Sequence, residues 1–106
     1  MADLRAADGD RIDAGLDFAA YAIKAHIELA EMLDKARAMR RRAAVHELVP
    51  RSQELAGTVD SMTKSACHAL GAVRNTLRAM FRAQLLRLTA HSRSMAADIQ
   101  VLADNS

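Results

Sequence analysis

An apolar stripe runs at three- and four-residue steps from Leu55 to Leu102, and it limits the fold of this chain more than any other feature. Its members are Leu55, Val59, Met62, Ala66, Leu70, Val73, Leu77, Phe81, Leu88, Met95, Ile99 and Leu102, with Gln84 and Ser92 as polar steps. That spacing returns to one face of an α-helix at every turn. At about 1.5 Å per residue it predicts a rod of about 70 Å. A small globular domain cannot wrap such a rod, so its partner must be equally elongated. Punctuation is scarce. With four Gly and one Pro in 106 residues, an all-β fold would lack residues for its turns. The 51% hydrophobic content lies mainly in Ala, Leu, Met and Ile, which favours helix.

The sequence predicts a single all-α domain over residues 10–103, behind a flexible N-terminus of residues 1–9. Asp8-Gly9-Asp10 is the first break, and Asp10 suits a helix N-cap with Asp13 three residues on. Helix 1 is expected over about 10–48, with Gly15 tolerated inside it. Pro50 disfavours helical geometry at Val49 and suits a new first turn, which puts a turn at about 49–52 and helix 2 at about 52–103. Gly71 is the weak point of the second helix.

Helix 1 carries two stripes. Phe18, Ala22, Ala25, Leu29, Met32, Ala36, Met39 and Ala43 form one; Ile12, Leu16, Ala20, Ile23 and Ile27 lie roughly opposite. One neighbouring helix covers one stripe, so the hairpin leaves apolar face uncovered. The expectation is an antiparallel two-long-helix hairpin that completes a four-helix bundle with a second chain, of the same or a different protein. The interface expected outside the hairpin is Ile12, Leu16, Ile23 and Ile27, with Leu85 and Leu86 broadening the apolar band. Phe18, Leu29 and Met32 would face helix 2; the reverse assignment is open at this level.

Charge supports an antiparallel arrangement. Residues 10–34 hold Asp10, Asp13, Asp17, Glu28, Glu31 and Asp34, whereas 61–97 hold no acid but carry Lys64, Arg74, Arg78, Arg82, Arg87 and Arg93. Folding about residues 50–52 brings the two segments together. Surface pairs of this kind set orientation more than stability.

No catalytic signature emerges. His26, His46, His68 and His91 lack the Glu-x-x-His spacing of a bundle metal site. Cys67 reads as a small buried thiol, and His68 beside it diverges by 100° on a helix. No metal or cofactor is expected. Arg37, Arg40, Arg41 and Arg42 make the turn end basic, and Arg74, Arg78 and Arg82 extend the basic surface along helix 2. Cations favour a helix C-terminus; a phosphate, acidic lipid or acidic partner is the competing use. Nucleic-acid binding is the alternative function, disfavoured by the scarcity of aromatic platforms. Arg41-Arg42-Ala43-Ala44-Val45-His46 has R-x4-H spacing, which resembles the motif of the HEPN ribonucleases; that resemblance implies Arg41 and His46 as its site and gives a second alternative.

The length, the two expected helices, the mid-chain break and the stretch Leu88-Thr89-Ala90-His91-Ser92-Arg93-Ser94-Met95-Ala96-Ala97-Asp98-Ile99 resemble the small helical-hairpin substrates and partners of type VII secretion systems. Val49-Pro50-Arg51 stands where that family has Trp-x-Gly, and the one Tyr, Tyr21, is far from the C-terminal Tyr-x-x-x-Asp/Glu position. The resemblance implies a dimeric four-helix assembly. The function expected is thus a non-enzymatic helical interaction module acting as a secretion-system partner, chaperone or adaptor. No stretch is apolar enough to span a membrane, and Met1–Asp10 is too polar for a signal peptide. A cytoplasmic protein is expected, with leaderless secretion as a second route.

Overall fold

The computed structural model describes residues 2–70 and 76–105, with side chains over 9–70 and 79–105. The described residues form three helices and no strand: α1 (Ala2–Ala38), α2 (Arg42–Ala69) and α3 (Thr76–Asn105). They run up, down and up. His26 of α1 meets Ser92 of α3, Glu28 meets Arg51 of α2, and Asp60 of α2 meets Arg93 of α3. The bundle is a slim rod of 61 × 18 × 16 Å.

The all-α expectation holds, but the breaks fall elsewhere. The first reversal occupies residues 39–41 and not 49–52. On an unbroken helix, Arg37, Arg40 and Arg41 would stack like charges three and four residues apart, which is unfavourable. Arg37 ends α1 and Arg40 and Arg41 stand in the reversal, all three exposed. Met39 N–H donates to the Ala36 carbonyl at 3.2 Å, tightening the last turn of α1. Arg41 is extended (φ −94°, ψ 121°) as the N-cap of α2, and its carbonyl accepts from Val45 N–H at 3.3 Å. Pro50 lies inside α2. It is exposed, so the donor it removes costs no buried contact. The helix is held there by Val45 and Leu55, buried on its other side.

The rod expected over 52–103 is also divided. α2 ends at Ala69, and Leu70 caps it with its N–H on the Ala66 carbonyl at 3.0 Å. α3 then lies back along α2, fixed by a buried hydrogen bond of 2.7 Å between the Thr63 and Thr89 hydroxyls. The apolar stripe is used on both sides of this fold-back: Leu55, Val59 and Ala66 from α2, Met95 and Ile99 from α3. At the other end, α1 begins at Ala2, so the segment expected as a flexible tail continues the helix. Ala2, Ala6 and Ala7 favour this, and Gly9 does not outweigh them.

The inner face of α1 is mainly small. Ala19, Ala22, Ala25 and Ala36 are buried beside Leu29 and Leu33. Short side chains let helices approach closely. Gly15 extends this contact: a Cβ there would come within 2.7 Å of Leu70 Cγ, whereas at Gly57 nothing lies within 4 Å. Each Gly→Ala change gains helix propensity of about 1 kcal/mol. Gly57→Ala is therefore expected to raise the thermal midpoint, and Gly15→Ala to lower it, because α1 must back away or Leu70 must leave its rotamer. Circular dichroism melts check this; equal stabilisation by both changes would contradict the close approach.

Candidate functional site

Four large aliphatic side chains of α1 lie outside the bundle, while the same helix buries four alanines together with Leu29 and Leu33. On α1, Ile12, Leu16, Ile23 and Ile27 are 37%, 49%, 48% and 51% exposed. They stand at the 4-, 7- and 4-residue steps of one helical row, with Ala20, also exposed, between them. Leu29 is buried, and Phe18 and Met32 are half-buried against the core. The stripe left open in the sequence is thereby assigned: Phe18, Leu29 and Met32 face inward.

Leu85 and Leu86 separate. Leu86 is 59% exposed, but Leu85 is 4% exposed and packs with Ala19 and Ala66. Adjacent helical residues differ by 100°, so one of two neighbouring leucines turns in and the other out. Leu85 belongs to the core and not to an outer band.

Beyond Leu86, α3 carries a row that the sequence reading missed. Ala79, Ala83, Leu86, Ala90, Ser94, Ala97 and Val101 are all exposed and follow 4-3-4-4-3-4 steps. The recurrence was present in the sequence. It was masked by the stronger stripe on the opposite side of the same helix. Tyr21 and Met80 add exposed area.

The charges flanking these rows are mixed. Beside the α1 row stand Asp13, Asp17 and Glu31, with Lys24 among them; Arg82, Arg87 and Arg93 flank the α3 row, with Asp98 toward its C-terminal end. The expected meeting of acidic and basic segments takes another form. Interhelical ion pairs form at Glu28–Arg51 (3.1 Å) and Asp60–Arg93 (2.9 Å). Among the described residues, no ion pair or hydrogen bond engages the carboxylates of Asp13, Asp17 and Glu31, or the guanidinium groups of Arg82 and Arg87.

The basic cluster is dispersed. Arg37 approaches Asp34 at 4.0 Å, and Arg40 and Arg41 are exposed at the reversal. Arg42 reaches the far end of α3, its Nε donating to the Ala103 carbonyl at 2.8 Å. There it satisfies a C-terminal carbonyl and complements the helix dipole. Arg74 lies outside the described residues, as does the side chain of Arg78. Arg82 lines a groove of about 410 Å³ between α2 and α3, with Lys64, Cys67 and Arg93. Arg41 and His46 are both exposed, with no interaction between them.

The seam between α1 and α3 holds a polar pair. His26 Nδ1 lies 2.8 Å from Ser92 Oγ, and the His26 and His91 rings are 4.9 Å apart, tilted by 58°. Burial, and then the nearby His91, pull the His26 pKa below the ordinary 6.5. No group of three His, Cys, Asp or Glu able to hold a metal occurs among the described residues, and no described helix is long and apolar enough to cross a membrane. Comparison with protein-family profiles, curated proteins and solved structures finds no match.

Because its folded pKa is depressed, His26 binds fewer protons folded than unfolded. Its stabilising contribution is full above 6.5 and is lost as pH falls from there through the lowered folded value. The thermal midpoint is expected to fall as the pH drops below 6.5, and less steeply in His26→Gln. Parallel pH profiles for the two proteins would reject this coupling.

Proposed function

We propose that this chain is a non-enzymatic helical interaction module that docks a second helical chain along the outer face of α1. What supports the reading is one observation: four large aliphatics, Ile12, Leu16, Ile23 and Ile27, stand exposed in a single helical row while the same helix buries alanines. A helix optimised only for its own bundle would place the larger side chains inside. Contiguous exposed apolar surface of this kind marks an interaction site. Its geometry is a stripe, which fits a helix better than a small molecule. The roles open to such a module are those of a secretion-system partner, a chaperone or an adaptor.

The row has a definite energetic reach. Burying the remaining half of each side chain contributes on the order of 1 kcal/mol, so the four give roughly 4 kcal/mol. Association itself costs at least about that much in lost translational and rotational freedom. A stable complex therefore engages more surface than this row alone.

A photo-reactive residue in place of Ile23 is expected to form one discrete covalent adduct in the native host. The same residue in place of the exposed Gln53 on α2 is expected to form none. Absence of an adduct from position 23 would overturn the docking reading, and mass measurement of an adduct identifies the partner chain.

A further inference from the structure

We propose that the groove between α2 and α3 is a binding site for a long-chain carboxylate, of which a free fatty acid is the simplest form. The headgroup lies on Arg82 and the chain over Leu86, Ala90 and Cys67. The site stands on α2 and α3 and does not depend on the docking reading of α1.

The charge of the groove is one-sided. Lys64, Arg82 and Arg93 line it, and Asp60 is the one carboxylate among its lining residues. That carboxylate is already shared, by Arg93 at 2.9 Å and Lys64 at 3.0 Å. Arg82 makes no ion pair or hydrogen bond among the described residues, and residues 61–97 contain no acid that could occupy it from nearby in the chain. An anionic ligand supplies what the groove lacks. The guanidinium offers parallel N–H donors that match the two oxygens of a carboxylate, and the neighbouring cations add to the attraction.

The rest of the groove favours an apolar tail. Its Thr63–Thr89 pair has no proton left to give. Thr63 Oγ1 donates to the Asp60 carbonyl at 2.9 Å, so in the 2.7 Å contact between the two hydroxyls Thr89 is the donor. Beside this pair lie half-buried Cys67 and exposed Leu86 and Ala90. Leu86 is 59% exposed, and an alkyl chain laid over it removes apolar surface from water. From Arg82 to Arg93 the groove follows about 16 Å of α3. Its volume of about 410 Å³ suits a small molecule, and such sites occur between the helices of bundles. Along α3 the order is cation, leucine, alanine, so the head and tail of one amphiphile meet matching surfaces in turn.

Titration of the full chain with sodium decanoate, read by calorimetry and by backbone amide NMR shifts, tests the proposal. Decanoate is expected to bind with a dissociation constant on the order of 100 μM, shifting the amides of Cys67, Leu86 and Ala90 more than those of Ile23 and Ile27. Hexanoate, four methylenes shorter, is expected to bind at least about tenfold more weakly, and decyltrimethylammonium likewise because its charge is reversed. Arg82→Gln and Leu86→Glu are each expected to weaken decanoate binding by about tenfold. Both positions are exposed, and circular dichroism verifies that the variants fold. Ile23→Ser on α1 is expected to leave the affinity unchanged. No saturable binding up to about 1 mM, or decyltrimethylammonium binding as tightly as decanoate, overturns the proposal. So does binding that Ile23→Ser abolishes and the two groove variants leave intact, which would place the chain on α1 and leave the docking surface standing.

Discussion

The structure depends on the close approach of α1 to its neighbours through a face made mostly of small residues. Gly15, Ala19, Ala22, Ala25 and Ala36 are buried, and a single added carbon at Gly15 would collide with Leu70. Tight spacing raises the number of dispersion contacts each short side chain makes. The larger side chains inside are Leu29, Leu33, Val45, Leu55, Val59, Leu85, Met95 and Ile99. The isoleucines of α1 stand outside that set. They form a second surface on a helix whose first surface is already filled.

Polar contacts then fix how the helices slide and rotate, since alanine faces alone specify register weakly. The hydroxyl pair Thr63–Thr89 sets α3 against α2. His26–Ser92 sets α3 against α1. Arg42 on the Ala103 carbonyl ties the start of α2 to the end of α3. Each is partly or fully buried, and slippage would leave a polar group unsatisfied in an apolar setting. Ser52, fully buried within α2, is satisfied locally by the Val49 carbonyl. Register and surface are linked in this way. The contact that aligns α1 with α3 also sets the height of the outer apolar row on one helix relative to that on the other.

Much of this was legible before any coordinates. The helical class, the inward stripe of Leu55, Val59, Ala66, Met95 and Ile99, and the surplus apolar face on α1 all follow from periodicity, which depends only on the 3.6-residue turn. The positions of the breaks were not legible. Pro50 drew the first turn to residues 49–52, yet packing of Val45 and Leu55 outweighs one missing donor at an exposed site. The arginine run at 37–42 read as a surface patch, and the reversal at residues 39–41 falls inside it. Leu85 and Leu86 could not be sorted while the rotation of α3 was unknown.

By itself, then, the sequence determined that the chain is helical, which residues share a helical face, and that those faces carry more apolar area than one copy hides. Tertiary structure decided where a continuous stripe folds back on itself, which of two opposed stripes lies inside, and which neighbours meet. The physical reason is that periodicity is a local property of backbone geometry. Fold-back and facing are set by which small residues allow close approach and which buried hydroxyls find each other, and those conditions join residues far apart in the chain.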